Sequence, residues 1–234
     1  MALIQMRSRE VERLLEEASS SNRRVLTEYE SKKIFKEIGI PVTREILAET
    51  IEEAISAGDK IGYPLVLKIS SPHVSHKSDF GGVYLGIRDE EELKAACENL
   101  RRQAERQGIE YSFLVQEMAK PGQELLVGSK RDPTFGPVVI FGLGGIFTEI
   151  LDDISIRLSP VDRQEASAML REIRGRKLLD GYRGLPPVDL DAVVDVILRV
   201  SDLMESYDSI TELDINPLFG YEDGVLAVDG LIVL

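Results

Sequence analysis

Lys68-Ile69-Ser70-Ser71-Pro72-His73-Val74-Ser75-His76-Lys77-Ser78-Asp79-Phe80-Gly81-Gly82-Val83 is the stretch on which the reading of this chain turns. The apolar run over residues 64–69 leads into it and predicts a β-strand that ends near Lys68. A polar loop with two histidines follows, and a Gly-Gly pair opens the next apolar run. Glycine lets backbone N–H groups approach phosphate oxygens, and lysine adds a point charge. The glycine and lysine spacing is not that of a Walker A loop, so a P-loop is excluded.

Working outward, the pattern mixes strands and helices. Residues 5–17 predict a short charged helix, and Ser19-Ser20-Ser21-Asn22 predicts a linker. Thr27 with Glu30 three residues later is a capping-box signature; the helix that follows carries Ile34, Phe35 and Ile38 and stops at Gly39. Further helices are predicted around 50–57, 90–106, 163–171 and 191–206. Strands are predicted at 112–116, 124–129, 138–141, 154–158, 211–215, 225–228 and 231–234. This order suggests an α+β architecture in two lobes.

Two more segments carry chemistry. Phe141-Gly142-Leu143-Gly144-Gly145 follows a strand, as a phosphate loop would, but it lacks the dinucleotide spacing; tight packing explains its glycines equally well. In Thr211-Glu212-Leu213-Asp214-Ile215-Asn216-Pro217-Leu218, Asp214 and Asn216 fall on one face of a strand. A carboxylate and an amide oxygen there suit Mg²⁺, and Asp229 on a plausible neighbouring strand adds a second carboxylate. The bland alternatives are a turn before Pro217 and a hairpin turn at Asp229-Gly230.

The net charge of −13 disfavours nucleic acid and anionic membrane as partners. Cys97 is the single cysteine, so no intrachain disulfide forms and a reducing cytoplasm is expected. No apolar stretch approaches the roughly 18 residues of a membrane span, and the first ten residues lack a secretory core.

Taken together these segments resemble the ATP-grasp (β) subunit of ADP-forming acetyl-CoA synthetases. The resemblance runs from about Leu26 to Leu234. It rests on Leu26-Thr27-Glu28-Tyr29-Glu30-Ser31-Lys32, His76-Lys77-Ser78-Asp79-x-Gly81-Gly82-Val83, Asp132-Pro133-x-Phe135-Gly136-Pro137, Gly142-x-Gly144-Gly145 and Glu212–Leu218. It implies a two-lobed ATP-grasp fold: residues 1–22 as helix and linker, then a domain over 23–234 with lobes at about 23–117 and 118–234. It implies a reversible reaction in which acyl-CoA, ADP and phosphate give acid, CoA and ATP through a phosphohistidine relay. His76 matches the phosphoryl carrier, and Asp79 stands where it can orient the ring; His73 reads as an ordinary loop residue. Lys68 matches the lysine on the nucleotide phosphates, and Gln116-Glu117-Met118 an interlobe hinge at the adenine. Glu124 falls where a ribose-binding carboxylate is expected. Asn216 and Asp229 match the Mg²⁺ ligands of the related succinyl-CoA synthetases, with Asp214 beside them.

A basic residue is expected shortly after the terminal Ala-Val-Asp, but Gly230 and Leu231 stand there. Arg157 is therefore expected to meet the phosphate, unless it pairs with Asp152 or Asp153. The chain ends five residues after Asp229, so the CoA and acyl-phosphate sites are expected on an α partner, plausibly in an α2β2 heterotetramer. Two other readings stay open: a succinyl-CoA synthetase-type β subunit, and a nucleotide-sensing module without turnover.

Overall fold

The computed structural model describes residues 7–72, 81–145 and 152–234. They fall into two compact units. The division differs from the one expected. The described residues up to Val42 group with those from Pro121 onward, and Thr43–Lys120 form the other unit. The N-terminal helix is therefore no appendage, and residues 23–42 leave the first lobe.

The smaller unit is a four-stranded antiparallel sheet in the order β1-β4-β2-β3. Its strands are β1 (Glu45–Ala48), β2 (Leu65–Ser70), β3 (Val83–Ile87) and β4 (Ser112–Glu117). Two helices, α3 (Ile51–Ile61) and α4 (Glu90–Gln107), cover one face. Asp89 caps the start of α4, and Gly108, at φ +64°, ends it in the left-handed conformation that glycine adopts without strain. Leu65, Leu67, Ile69, Phe113 and Val115 point to the helices and share their core with Leu93, Cys97 and Leu100. Strand alternation therefore turns Val66, Lys68, Ser70, Leu114 and Gln116 to the other face. Burial pushes the Cys97 thiol up to about 12, which keeps it an inert core residue.

In the larger unit the sheet runs β10-β8-β5-β6-β7, with β9 also paired to β8. The strands are β5 (Gln123–Asp132), β6 (Gly136–Leu143), β7 (Ile154–Leu158), β8 (Glu212–Tyr221), β9 (Gly224–Ala227) and β10 (Leu231–Val233). Helices α5 (Arg163–Glu172) and α6 (Leu190–Ser206) pack on β5, β6 and β7, joined by a 3-10 helix at Arg174–Leu178. Two more helices, α1 (Arg9–Ser20) and α2 (Glu28–Glu37), belong to the same core through Val11, Leu14, Ile34 and Phe35. The capping box of α2 is formed: Glu30 N–H donates to Thr27 Oγ1 at 3.3 Å, and Thr27 N–H donates to Glu30 Oε2 at 2.8 Å. The chain on either side of α2 is tied to the C-terminal strands. Leu26 N–H donates to Ile232 O at 3.0 Å, and Ala227 N–H donates to Pro41 O at 2.8 Å. Helix α1 runs on into Ser19 and Ser20, which were expected in a linker; Ala18, fully buried, anchors that last turn.

The Asp132-Pro133-x-Phe135-Gly136-Pro137 segment is the β5–β6 hairpin. Asp132 Oδ1 accepts from Thr134 and Phe135 N–H, and Gly136 takes φ +79°. No helix among the described residues is long and apolar enough to cross a membrane.

Candidate functional site

The candidate residues are divided between the two units. In the smaller unit Lys68 and Gln116 are both buried and lie diagonally on the sheet face away from the helices. Lys68 pairs with Leu114, and Gln116 pairs with Val66. Lys68 stands two residues before the end of β2. His76, His73 and Asp79 lie outside the described residues.

Glu117 is placed differently from expectation. Its carboxylate accepts from Arg44 N–H at 2.8 Å and from Arg44 Nε at 2.7 Å. Its own N–H donates to Arg44 O at 2.9 Å, and Met118 N–H donates to Pro64 O at 3.3 Å. Both backbone donors of this segment are thus committed inside the unit. An adenine read here must use other groups or displace the Arg44 pair. Displacement is cheap: Arg44 is largely exposed, and such pairs contribute about 0–1 kcal/mol. Arg44 was not singled out in the sequence, because its partner lies 73 residues away.

In the larger unit the sheet presents its open face opposite α5 and α6. On β8, Leu213 and Ile215 are buried on the helix side while Asp214 and Asn216 take the other side. Asp214 pairs with Gly128 on β5, and the missing side chain there leaves the carboxylate room: a Cβ at Gly128 would sit 3.5 Å from Asp214 Oδ1. Strand β8 does not turn at Asn216-Pro217. It continues to Tyr221 across a register shift, where two of its residues face one on β5, as in a bulge. Val228 N–H donates to Pro217 O at 3.0 Å, which brings the segment holding Asp229 alongside Asn216. Burial, then the charges of Glu212 and Asp229, push the Asp214 carboxyl up to about 6. So Asp214 and Asn216 share one face of β8, with the segment holding Asp229 alongside and the Glu212 charge felt at Asp214.

Glu124, on β5, lies on this same open face and is exposed. Its carbonyl accepts from Gly144 N–H at 2.8 Å. A Cβ on Gly144 would come within 3.0 Å of Glu124 Cβ, and one on Gly145 within 2.7 Å of Glu124 Oε2. The Gly142–Gly145 run therefore serves close approach, seating Glu124 at one end. At the other end Gly142 lies under β7, 3.0 Å from Asp153 O by the same measure.

Arg157 lies apart from the Asp214 group. It pairs with Val139 on β7's inner register, on the helix side of the sheet, opposite the face of Asp214. Its guanidinium bonds Glu172 on α5, and Glu172 also accepts from Ser155 Oγ at 2.9 Å. These bonds, Arg157's first, hold the Glu172 carboxyl below its usual range. Neither Asp152 nor Asp153 is its partner: Asp153 accepts from Arg174 and Gly175 N–H and caps the 3-10 helix.

Among the described residues no group of three or more His, Cys, Asp and Glu side chains is arranged to hold a metal. The set here is two carboxylates and an amide, all hard oxygen donors. Burial raises the Asp214 carboxyl first, and the nearby Glu212 and Asp229 charges add to it. The donor set therefore fits Mg²⁺.

Two compact α+β units, one with a buried lysine on strand β2 and the other with Asp214 and Asn216 on the face of its sheet away from the helices, fit a nucleotide-binding protein of the ATP-grasp class. The ATP-grasp domain model matches residues 17–234, and the chain belongs to that family, among the subunits of ADP-forming acid–CoA ligases. It is 42% identical over 224 residues to the beta subunit of acetate–CoA ligase [ADP-forming] I of Pyrococcus furiosus, covering 94% of this chain and 96% of that one. It is 41% identical to acetate–CoA ligase [ADP-forming] I of Archaeoglobus fulgidus, a longer protein of which it spans 33%. Among solved structures it superimposes on the dinucleotide forming acetyl-coenzyme A synthetase 1 of Ca. Korarchaeum cryptofilum, in complex with coenzyme A, Ca-AMPCP and HgCl+. There the TM-score is 0.92 at 43% identity, over 95% of this chain and 98% of that one.

Proposed function

We propose that this chain is the nucleotide-binding subunit of an ADP-forming acyl-CoA synthetase, working in the cytoplasm with an α partner that supplies the CoA and acyl-phosphate sites. The observation that carries the reading is identity above 40% along nearly the full length of a named beta subunit, together with the oxygen-donor set on the open face. The partner is supported by the Archaeoglobus relative, two thirds of which lies beyond the part this chain matches. A succinyl-type reading is less well supported: the Haloarcula succinate–CoA ligase beta subunit is 29% identical, and this chain spans 54% of it.

In the proposed mechanism Lys68 neutralises the nucleotide phosphates, and its burial keeps that charge poorly screened. Asp214, Asn216 and Asp229 would hold Mg²⁺, which would supply charge neutralisation for the transferring phosphoryl group. Glu124 accepts from the ribose hydroxyls. His76 acts as the carrier: a neutral ring nitrogen attacks the phosphorus and a P–N bond forms as the bond to the donor breaks; a β-phosphate oxygen of ADP then attacks the same phosphorus and the P–N bond breaks, leaving the ring nitrogen free. Phosphohistidine chemistry of this kind is supported by a structure of the Korarchaeum enzyme that contains a phosphorylated phosphohistidine segment.

Calorimetric titration of the isolated chain with ADP, with and without Mg²⁺, tests the binding role. Saturable, Mg²⁺-enhanced binding that Lys68→Met weakens is expected. Absence of nucleotide binding by the folded chain overturns the reading.

A further inference from the structure

We propose that Lys32, held by Glu28, positions Asp229 for its cation. The inference rests on the reading of Asp229 as a metal ligand. Helix α2 grips the segment around Asp229 at two points. Lys32 Nζ donates to Val228 O at 3.3 Å. One turn on, Phe35 packs on Gly230 so closely that a Cβ there would lie 2.2 Å from Phe35 Cε2. Asp229 lies between these grips, and Gly230 N–H donates to its Oδ1 at 2.7 Å, which sets the carboxylate's rotation.

Lys32 and Glu28 form an ion pair at 3.5 Å with both side chains fully buried. Taking both charges out of water is costly, and an apolar pair of similar volume would pack as well. What an apolar pair would not supply is the donor to the carbonyl that immediately precedes Asp229. The geometry therefore makes Lys32 a positioning residue: it touches neither metal nor nucleotide in this account and acts through the backbone of Val228. The same arrangement explains why Gly230 follows Asp229 in place of a larger residue, since Phe35 occupies the space.

The test is Mn²⁺ binding by electron paramagnetic resonance, in the presence of ADP, on the full chain in complex with its α partner. Glu28→Leu/Lys32→Met removes both charges and keeps the volume. It is expected to retain the melting temperature and weaken Mn²⁺ binding about tenfold or more, as loss of an outer partner of a metal ligand does. Glu28→Gln/Lys32→Gln, which keeps a donor for Val228 O, is expected to restore most of that affinity. A purely structural role would move the melting temperature and leave Mn²⁺ affinity alone. Wild-type affinity in the apolar double variant, while Asp229→Ala weakens binding, overturns the positioning role and leaves the metal site standing. If Asp229→Ala is also silent, the metal-site reading itself fails. Should the apolar double variant not fold, Lys32→Arg is read instead, since it moves the donor and keeps the charge; unchanged affinity there overturns the proposal.

Discussion

Replacing Asp214 with asparagine should stabilise the metal-free protein at neutral pH. The Asp214 carboxyl titrates near 6 against an ordinary 3.8, first because it is buried and then because Glu212 and Asp229 face it. The folded state thus holds this proton more tightly than the unfolded one. Stability from this group is complete below the unfolded value and is lost as the pH rises through about 6. The shift of about two units, at roughly 1.4 kcal/mol each, sets an upper figure of about 3 kcal/mol, and partial exposure reduces it toward 1 kcal/mol. The asparagine side chain carries no charge to desolvate, so the penalty disappears. In chelator, thermal unfolding followed by circular dichroism should show the variant melting about 2–10 °C higher at pH 7.5. The gap should shrink steadily as the pH falls through about 6 and close below 3.8, where Asp214 is neutral in both the folded and the unfolded chain. Adding Mg²⁺ should raise the wild-type melting temperature more than the variant's. A gap that does not change with pH, or a variant less stable than wild type at pH 7.5, would refute the argument.

Other residues give sharper local tests. Gly230→Ala places a methyl against Phe35 and should cost about 1–3 kcal/mol in urea unfolding, with part recovered in Gly230→Ala/Phe35→Leu. Arg157→Ala loses a partly exposed ion pair on the helix side of the sheet. It should cost under about 1 kcal/mol and leave turnover of the complex within about threefold, whereas a phosphate-binding arginine would lose far more. Lys68→Met keeps its volume in the sheet and removes the buried charge. It should raise the nucleotide KM about tenfold or more while the circular dichroism spectrum is unchanged; an unchanged KM would return Lys68 to a structural role.

Local signals in the sequence carried most of the elements. The Thr27/Glu30 capping box, the long apolar strands and the glycine stops all reappear, because each is decided by neighbours within a turn or two. Strand β1 was missed: four residues of mixed polarity give no period to read, and its place is set by pairing with β4. The division into units was missed for the same reason. What ties residues 23–42 to the C-terminal strands is hydrogen bonding across some 200 residues, such as Leu26 to Ile232. The surroundings of Arg157 were illegible for a different cause. Along β7 the apolar Ile154, Ile156 and Leu158 face outward and are exposed, while Ser155 and Arg157 turn inward to Glu172. The usual inward apolar alternation is inverted at this edge strand, and only the register with β6 reveals it. The shared face of Asp214 and Asn216 was legible, since they stand two apart on one strand. Lys32 was not, because a buried i,i+4 pair with Glu28 reads in sequence like any exposed one.

The central claim is the histidine relay through this chain. The complex with the α partner, incubated with Mg²⁺ and γ-labelled ATP, should carry acid-labile phosphate on this subunit in the wild type and none in His76→Ala. The variant should still bind Mg·ADP. Label confined to the partner and unchanged by the substitution would mean that ATP phosphorylates the partner directly. That result would contradict the relay while leaving the nucleotide site in place.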